Sequence, residues 1–460
     1  MLPTERRCVG RSVAGYPGAM HDGSDTPQDA PTEYTPIAVT GRRRLSRRAR
    51  LVISIAAVCA LLGAGGAAAA LVWGPERGAD PPAAQDAPPE PSPSPDQAEE
   101  PAEPEATPEN AAEDGRVRVI AMGDMLPHDS VNAQALLPSG TPDYGQFFSG
   151  IAPQLDAADV TFCNQEVPSA GADFGISGYP TFNAPVEFAG ALRDTAGCDL
   201  VNLATNHSAD LGAEGIAATR GVWDGLAPAI VSGANRSPEE QRAVPVFEQG
   251  GVSFALVSFA EYSNAPIDGV SLNLMGDDAL VADLMARANE AADVVIVSAH
   301  WGTEDSHEVN DQQRAFAQHA ADLGADVIVG TGPHVLQPTA WLDRADGGRT
   351  LVWYSIGNML NTQLELDQRT GVIAGFDAVR DPDSGSVSIE HPTGVLTYMH
   401  YDWTAEQEAA GELLARTNLS ITPLAASGDL LQATRFGVTP EQQVEASTAI
   451  LGPDVTILPE

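Results

Sequence analysis

The chain has 460 residues with 63 acidic residues, 24 Arg and no Lys, which gives a formal net charge of −39. The absence of lysine excludes a P-loop lysine and a Schiff-base lysine. So acidic a surface also argues against nucleic acid as a partner, because binding to phosphates requires basic patches.

The N-terminal part predicts a membrane anchor. Residues 1–41 lack hydrophobic periodicity and residues 42–50 contain six Arg, so we interpret 1–50 as a disordered cytoplasmic tail. Residues 51–73 carry no charge and, as a helix, would span about 34 Å, enough for a bilayer core of about 30 Å. The Arg cluster then places the main domain outside a plasma membrane that the chain crosses once. A cleaved signal peptide is the alternative, but a leader of about 50 residues is too long for one.

A linker and a globular region follow. Residues 74–115 contain 11 Pro, 12 acidic residues and one Arg, which predicts a disordered, self-repelling spacer. Residues 116–460 hold 46 acidic residues and 14 Arg, a net charge of −32 in a composition typical of a folded domain.

The globular region begins with alternating strand and helix patterns. Short aliphatic runs such as VRVIAMGD and DVVIVSAH alternate with helical segments such as GAEGIAATRGVWDGL and DQQRAFAQHAADLGA. This alternation predicts right-handed crossovers and a largely parallel sheet. From about residue 335, strand follows strand, which suits an antiparallel half of a two-sheet core. We interpret 401–460 as a C-terminal helical extension.

Two cysteines lie in the predicted sheet. Cys163 is near the end of one strand and Cys198 is at the start of the next. If the strands are parallel neighbours, about five residues separate the two in register, or roughly 16 Å. That distance is too long for a disulfide, so we predict two free, buried thiols.

Polar residues stand where the apolar runs end. They are Asp124, Glu166, Asn206 with His207, His300 with Glu304, and His334. Because sites in open α/β sheets lie beyond the carboxyl ends of the strands, these side chains predict a cation site or a hydrolytic centre. Each also has a structural alternative: Asp124 as a helix cap, Glu166 as a turn residue, and each histidine as a packing residue. Glu304 is placed to orient His300, as carboxylates behind metal-bound histidines do.

Six motifs together are similar to one family. They are GDMLPHDS ending at Ser130, NQE (164–166), NLATNHSADLG (202–212), HWGTE (300–304), GPHVLQP (332–338) and YSIGNML (354–360). In this order they resemble the CapA family of poly-γ-glutamate capsule synthesis proteins, whose domain resembles the calcineurin-like metallophosphatases. The resemblance implies a four-layer α/β/β/α sandwich over residues 116–400, behind the predicted transmembrane helix and disordered stalk.

The resemblance also implies roles for individual residues. The implied metal ligands are Asp124, Glu166, Asn206, His300 and His334, and the implied catalytic acid is His207. Asp210 and Glu304 are further candidate catalytic residues from the same motifs. The cofactor would be one or two divalent ions, of Mn, Fe, Zn or Mg. Two nitrogen ligands of a metallophosphatase are missing, because Leu126 and Gly332 stand at their positions. A single ion is therefore the expectation, with His128 as a possible replacement ligand.

Three functions are consistent with this sequence. The first is synthesis, export or tethering of an anionic polymer such as poly-γ-glutamate, with membrane subunits of a polymer synthase as partners. The second is an extracellular metallophosphoesterase, and the third is a non-catalytic polymer-binding scaffold. A domain charge of −32 repels a polyanion unless cations or a local Arg patch screen it. We therefore expect a focused, cation-assisted cleft.

Overall fold

The computed structural model of the chain describes residues 115–460. The predicted tail (1–50), the predicted membrane span (51–73) and all but the last residue of the predicted linker (74–115) lie outside the described residues. Within the described part, no helix combines the length and the hydropathy needed to cross a membrane.

Fifteen strands occur in residues 115–460. In chain order they are β1 (Arg116–Met125), β2 (Val160–Gln165), β3 (Leu200–Asn202), β4 (Ile230–Ser232), β5 (Val246–Gln249), β6 (Val252–Ala260), β7 (Val294–His300), β8 (Val327–Thr331), β9 (Leu336–Asp343), β10 (Arg349–Ile356), β11 (Asn358–Leu360), β12 (Thr370–Arg380), β13 (Val387–Asp402), β14 (Thr417–Pro423) and β15 (Thr456–Leu458).

Ten α-helices occur in the same range. They are α1 (Asp129–Ala135), α2 (Ala152–Asp156), α3 (Val186–Asp194), α4 (Gly212–Leu226), α5 (Pro238–Arg242), α6 (Asp278–Ala291), α7 (Asp311–Asp322), α8 (Ala405–Ala410), α9 (Gly428–Gln432) and α10 (Pro440–Leu451). The predicted helices GAEGIAATRGVWDGL and DQQRAFAQHAADLGA are confirmed as α4 and α7. Helix α7 begins where it does because Asn310 and Gln313 form a reciprocal capping box.

The strands form two sheets. The first has the order β14-β13-β12-β1-β2-β3-β4, with β11 beside β1 and β15 beside β13. Its strands β1 to β4 are parallel, as the sequence predicted. The second sheet has the order β5-β6-β7-β8-β10-β9, and β6, β7, β8 and β10 are parallel.

The two sheets pack face to face between two layers of helices. Val119 and Phe162 of the first sheet share a buried cluster with Leu256 and Val329 of the second. On the other face of the first sheet, Met122 packs in a cluster with residues of α1, α3 and α4. On the other face of the second sheet, the strands pack against α6 and α7. The order of layers is therefore α/β/β/α, and strands buried on both faces read as continuous apolar runs.

The antiparallel strands are distributed differently from the prediction. Strands β12, β13 and β14 extend the first sheet beyond β1, whereas β9 and β10 belong to the second sheet. The last sixty residues are also not only helical, because β14 and β15 both pair with β13. Their short, mixed patterns carried too little periodicity to identify them as strands.

The prediction of two free thiols is wrong, because Cys163 and Cys198 form a disulfide. Cys163 is in register with Val201, so the offset to Cys198 is three residues rather than five. Cys198 also precedes β3 and lies in the turn that leaves α3, where the spacing of an extended strand does not apply. The two Cα atoms are 5.7 Å apart, within the range for a disulfide.

A candidate metal centre between the sheets

The polar residues at the strand ends converge at one edge of the two sheets. Asp124 lies at the end of β1 and Glu166 directly after β2, while His300 ends β7 and His334 follows β8 by three residues. One ligand atom from each of Asp124, Glu166 and His334 lies within 4.8 Å of the others. His300 is 3.9 Å from an oxygen of Asp124 and 3.9 Å from an oxygen of Glu166. The predicted convergence of these side chains is confirmed.

The Asp124 carboxylate is held by hydrogen bonds from three sides. Its Oδ1 accepts from Asn164 Nδ2 at 2.7 Å, and its Oδ2 accepts from the Gly332 N–H at 3.1 Å. Oδ2 also lies 3.1 Å from His334 Nδ1. Burial raises the pKa of Asp124, but the hydrogen bond and positive charge of His334 outweigh it and lower the pKa below the ordinary value. Asp124 is therefore ionised.

Glu166, unlike Asp124, makes no hydrogen bond through its side chain within the described residues. Its side chain is 0% exposed, and neither carboxylate oxygen has a hydrogen-bond partner among the described residues. Burial, followed by the negative charge of Asp124, raises the pKa of Glu166 well above its usual range. A buried carboxylate without a partner is costly, and a bound cation is the partner that such groups take in proteins.

His334 is held in an uncommon backbone conformation. Its φ is +61°, in the left-handed region that costs a non-glycine residue about 1–2 kcal/mol. Its Nδ1 lies 3.1 Å from Asp124 and 3.0 Å from Asn358 Oδ1, and its Nε2 is 3.8 Å from Glu166. Burial lowers the pKa of His334, but the charges of Glu166 and Asp124 and the hydrogen bond to Asp124 raise it to about 10. Without a cation the imidazole is therefore protonated, with its Nδ1 beside the Asp124 carboxylate.

The side chains of His300 and Asn206 contact each other. His300 Nε2 lies 2.9 Å from Asn206 Oδ1, and Nδ1 lies 3.0 Å from the Thr331 hydroxyl. Burial lowers the pKa of His300 to about 4, so the ring is neutral. An imidazole nitrogen and an amide oxygen are both ligand types for divalent cations, so this pair would be available to hold one ion.

His207 lies on the loop after β3 and is oriented by Asp210. Its Nδ1 is 2.8 Å from Asp210 Oδ2, and because a carboxylate only accepts, Nδ1 carries the proton in neutral imidazole. Asp210 is fixed in turn by the Phe182 N–H at 2.7 Å, and the Phe182 ring packs edge-on against His207 at 4.8 Å. Nε2 then faces Asn264 Nδ2 at 3.3 Å. This is the arrangement of an oriented acid–base histidine.

The expectation that Glu304 orients His300 is wrong. Both ring nitrogens of His300 are already engaged by Thr331 and Asn206. Glu304 is exposed and its carboxylate contributes only a charge, which raises the pKa of Glu166 and of His334. Strand β7 ends at His300, so spacing along a strand does not describe Glu304.

The two departures from the metallophosphatase pattern have a structural reason. Leu126 is 2% exposed and packs in the cluster beneath the helices. Gly332 has φ +105°, and a Cβ there would lie 2.8 Å from the carbonyl oxygen of Trp301. A histidine therefore does not fit at 332 without a backbone shift. The Nδ1 of His128, the possible replacement, lies 3.0 Å from the Leu126 carbonyl oxygen and 3.3 Å from the Thr362 nitrogen, and burial lowers the pKa of the ring to about 3.

Two asparagines complete the edge and were not assigned to the site from the sequence. Asn164 bonds Asp124 and accepts from Asn202 Nδ2 at 2.5 Å. Asn358 contacts His334 through its side-chain oxygen. Both lie inside the motifs NQE and YSIGNML, and both stand at the end of a strand. That position is the sequence feature that could have assigned them to the site. The whole edge, with two carboxylates, imidazoles and an amide, is compatible with a divalent cation.

Comparison with known proteins shows that the chain matches one protein family. Residues 118–363 match the model described as bacterial capsule synthesis protein PGA_cap. The PGA biosynthesis protein CapA of Bacillus subtilis strain 168 is 32% identical over 172 residues, 36% of this chain and 43% of that protein. The capsule biosynthesis protein CapA of Bacillus anthracis is 31% identical over 176 residues, 36% of this chain and 41% of that protein. The chain thus matches less than half the length of these curated relatives.

Solved structures give weaker likenesses. A hypothetical protein from Thermus thermophilus is 18% identical, covers 61% of this chain and 99% of its own, and has a TM-score of 0.36. A 5′-nucleotidase from Candida albicans is 11% identical, covers 60% of this chain and 51% of its own, and has a TM-score of 0.34.

The family assignment does not depend on those structures. The family match covers more than half of the chain and includes the strand-end residues from Asp124 to His334. The chain therefore belongs to the bacterial capsule synthesis protein family PGA_cap, the CapA family.

Proposed function

We propose that this chain is a membrane-anchored, extracytoplasmic protein of capsule polymer synthesis that cleaves or transfers bonds in an acidic polymer such as poly-γ-glutamate. The observation that carries the proposal is the Glu166 carboxylate, buried beside Asp124 and His334 with no partner at either oxygen among the described residues. A carboxylate in that state is suited to a cation, and the edge offers enough further donors to hold one. The names of the two Bacillus relatives, for PGA and for capsule biosynthesis, support the choice of polymer.

One divalent ion fits better than two. The ligands would be Asp124, Glu166, Asn206, His300 and His334, a set that suits Mn²⁺, Fe²⁺, Zn²⁺ or Mg²⁺. Such an ion activates water and polarises an acyl or phosphoryl oxygen. A second ion would lack a nitrogen ligand at Gly332, because the Trp301 carbonyl excludes a side chain there.

His207 is the group that would move the proton. While Nδ1–H donates a hydrogen bond to Asp210, Nε2 can accept a proton from an attacking group or, when protonated, return it to a leaving group. Asn264 Nδ2, 3.3 Å from Nε2, limits rotation of the ring. The histidine thus supplies acid–base chemistry whether the bond broken is an amide or a phosphoester.

The cellular location is part of the proposal. The uncharged segment 51–73 behind six Arg supports a single-pass anchor with the folded region outside the cytoplasm. The disulfide between Cys163 and Cys198 supports the same side, because disulfides persist in oxidising compartments. Membrane subunits of a polymer synthase are the proposed partners.

Two alternatives have a specific observation in their favour. The His207–Asp210 pair would equally serve an extracellular metallophosphoesterase. The exclusion of a histidine at Gly332 favours a scaffold that binds polymer without cleaving it.

One experiment separates the three functions. The full-length protein is analysed for bound metal and assayed on γ-linked glutamyl peptides and on phosphoesters, with and without EDTA. For the proposed function we expect metal-dependent cleavage of the γ-glutamyl substrate and a loss of about 10²–10⁴-fold in His207→Ala. The matched control is His319→Ala, at an exposed position of α7. Cleavage of phosphoesters alone supports the phosphoesterase, and metal-free, inactive protein supports the scaffold.

A further inference from the structure

A cavity one loop away from the metal centre is lined by a buried arginine that no carboxylate in residues 115–460 neutralises. The cavity has a volume of about 640 Å³, and its walls include Arg369, Tyr401, Trp403 and Arg435. That volume lies within the range of about 300–1,000 Å³ typical of small-molecule sites. In a domain with 46 acidic residues and 14 Arg, a cavity built around arginine is unexpected.

Arg369 is 4% exposed and lines this cavity. Its Nε donates to the Met399 carbonyl at 2.9 Å and its Nη2 to the Tyr398 hydroxyl at 2.7 Å. Within residues 115–460 no carboxylate lies within ion-pair distance of it, and its Nη1 has no hydrogen-bond partner. A buried arginine is rarely left without a counter-ion, because the uncompensated charge is costly.

Arg416 is a second buried arginine without a carboxylate partner in the described residues, and it packs against the cavity residues Tyr401 and Trp403. It is 5% exposed, its Nη1 donates to the Thr362 carbonyl at 2.7 Å, and its Nε is buried without a partner in the described part of the chain. Burial lowers the pKa of its guanidinium, consistent with a missing counter-charge. Its Cζ lies 4.4 Å from the ring centre of Trp403 and 5.2 Å from that of Tyr401.

The acidic residues of the cavity are already engaged. Glu408 pairs with Arg435 at 2.7 Å, and Arg435 also contacts Glu365 at 3.1 Å. Asp402 faces His400 Nε2 at 3.1 Å and accepts from Asn418. Arg369 and Arg416 therefore have no carboxylate partner within residues 115–460. The Arg369 guanidinium lies over the Tyr401 ring at 3.9 Å, and that of Arg416 lies over the Trp403 ring at 4.4 Å.

The segment 361–369 connects this cavity to the metal centre. The Tyr401 hydroxyl donates to the Gln363 carbonyl at 2.7 Å, and Gln363 Oε1 accepts from Asn358 Nδ2 at 2.6 Å. Asn358 in turn contacts His334 at 3.0 Å. Only one loop thus separates the cavity from the candidate ligands.

We propose that the cavity lined by Arg369, Tyr401 and Trp403, the Arg369 cavity, binds carboxylates of an acidic oligomer whose chain continues toward the metal centre. The planar guanidinium matches a carboxylate through paired hydrogen bonds, and Tyr401 and Trp403 in the cavity wall offer apolar contact to the methylene groups that link carboxylates in a glutamyl chain. The inference deepens the proposed function by giving the polymer a site, and it relies on that function only for the choice of oligomer. It also explains how a domain of charge −32 can hold a polyanion: the attraction is confined to one cavity.

The test is a binding titration that needs no catalysis. Full-length protein in EDTA is titrated with γ-linked hexaglutamate at low ionic strength, and the total tryptophan fluorescence and the heat of binding are recorded. We expect saturable binding, with the fluorescence change absent in Trp403→Phe. Because metal is removed and nothing is cleaved, the result is independent of whether the centre is an enzyme. Absence of saturable binding at millimolar oligomer overturns the proposal.

Variants locate the site. Arg369→Gln should weaken binding about tenfold or more, with partial recovery in Arg369→Lys. Because Arg369 also supports its loop, a second variant adds charge at the exposed rim: Ala433→Glu should weaken binding about threefold, and less at high salt. Its matched control is Ala279→Glu, at an exposed alanine of α6. Equal effects of Ala433→Glu and Ala279→Glu, or displacement of the oligomer by an equal concentration of inorganic phosphate, overturn the proposal.

Discussion

Asp124 Oδ2 and His334 Nδ1 lie 3.1 Å apart, although 210 positions separate the two residues in the chain. One belongs to the first sheet and the other follows a strand of the second. The contact therefore exists only because the sheets pack face to face with their strand ends aligned. Glu166, 3.8 Å from the same imidazole, adds the second carboxylate without any hydrogen bond of its own in the described part of the chain.

Replacing Glu166 should abolish metal binding. In wild-type protein, a metal ion at 100 times its dissociation constant should stabilise the fold by about 2.7 kcal/mol. We expect Glu166→Gln to lose that stabilisation, because an amide supplies no negative charge to the ion. Thermal unfolding with and without Mn²⁺ measures the difference. Glu290→Gln, at an exposed carboxylate of α6, is the matched control. An equal loss in both variants would contradict the ligand assignment.

Metal binding should release protons. The pKa of His334 is raised to about 10 and that of Glu166 is also raised, so the metal-free site holds protons at neutral pH that a cation must expel. We expect about one to two protons released near pH 7, and an affinity that falls as the pH is lowered. Calorimetry in two buffers with different ionisation enthalpies measures the number. Identical heats in both buffers would show that the site is already deprotonated.

The same groups set the pH dependence of the metal-free fold. Above the ordinary pKa of a carboxyl group or an imidazole, raised folded-state values mean that the folded protein binds more protons than the unfolded one. The free energy of unfolding should therefore decrease as the pH rises from about 7 through about 10, the pKa of His334. Urea denaturation at several pH values in EDTA checks this. Saturating metal should flatten the curve, and a metal-free stability that rises over this range would contradict the assignment.

Asp210→Asn should impair the acid–base step more than the fold. Asparagine can still accept from the Phe182 N–H, but its amide can then offer a donor to His207 and favour the wrong tautomer. We expect kcat on the cleaved substrate to fall about 10²-fold or more with metal affinity unchanged. Asp224→Asn, at an exposed carboxylate of α4, is the control. A kcat close to that of the wild type would remove Asp210 from the proposed mechanism.

The disulfide should stabilise the first sheet and its helices. It closes a loop with a sequence separation of 35, which corresponds to about 3–4 kcal/mol in the chain-entropy description. We expect the double variant Cys163→Ala, Cys198→Ala to unfold at lower urea concentration than the wild type. Non-reducing peptide mapping should recover one peptide pair joined through these cysteines. Recovery of both as alkylated thiols would contradict the crosslink.

Local patterns predicted the elements near the site well. β1 and β7 were identified as apolar runs because both faces of these strands are buried, and α4 and α7 because their apolar residues recur at helical spacing. β14 and β15 were missed because short strands at the end of a sheet carry little pattern of their own. Cys198 was misjudged because its position is set by a turn after α3 rather than by a strand.

By itself the sequence determined which polar residues end the buried strands, since strand ends are where an apolar run must meet a polar side chain. That was sufficient to name Asp124, Glu166, His300 and His334. Only the tertiary structure decided which atoms face each other across the two sheets. It left Glu166 unpartnered within residues 115–460, turned Glu304 to solvent, excluded a side chain at Gly332 and placed Arg369 in a cavity one loop away. The physical reason is that register, turns and sheet-to-sheet packing are set by contacts between residues far apart in the chain, which no local pattern encodes.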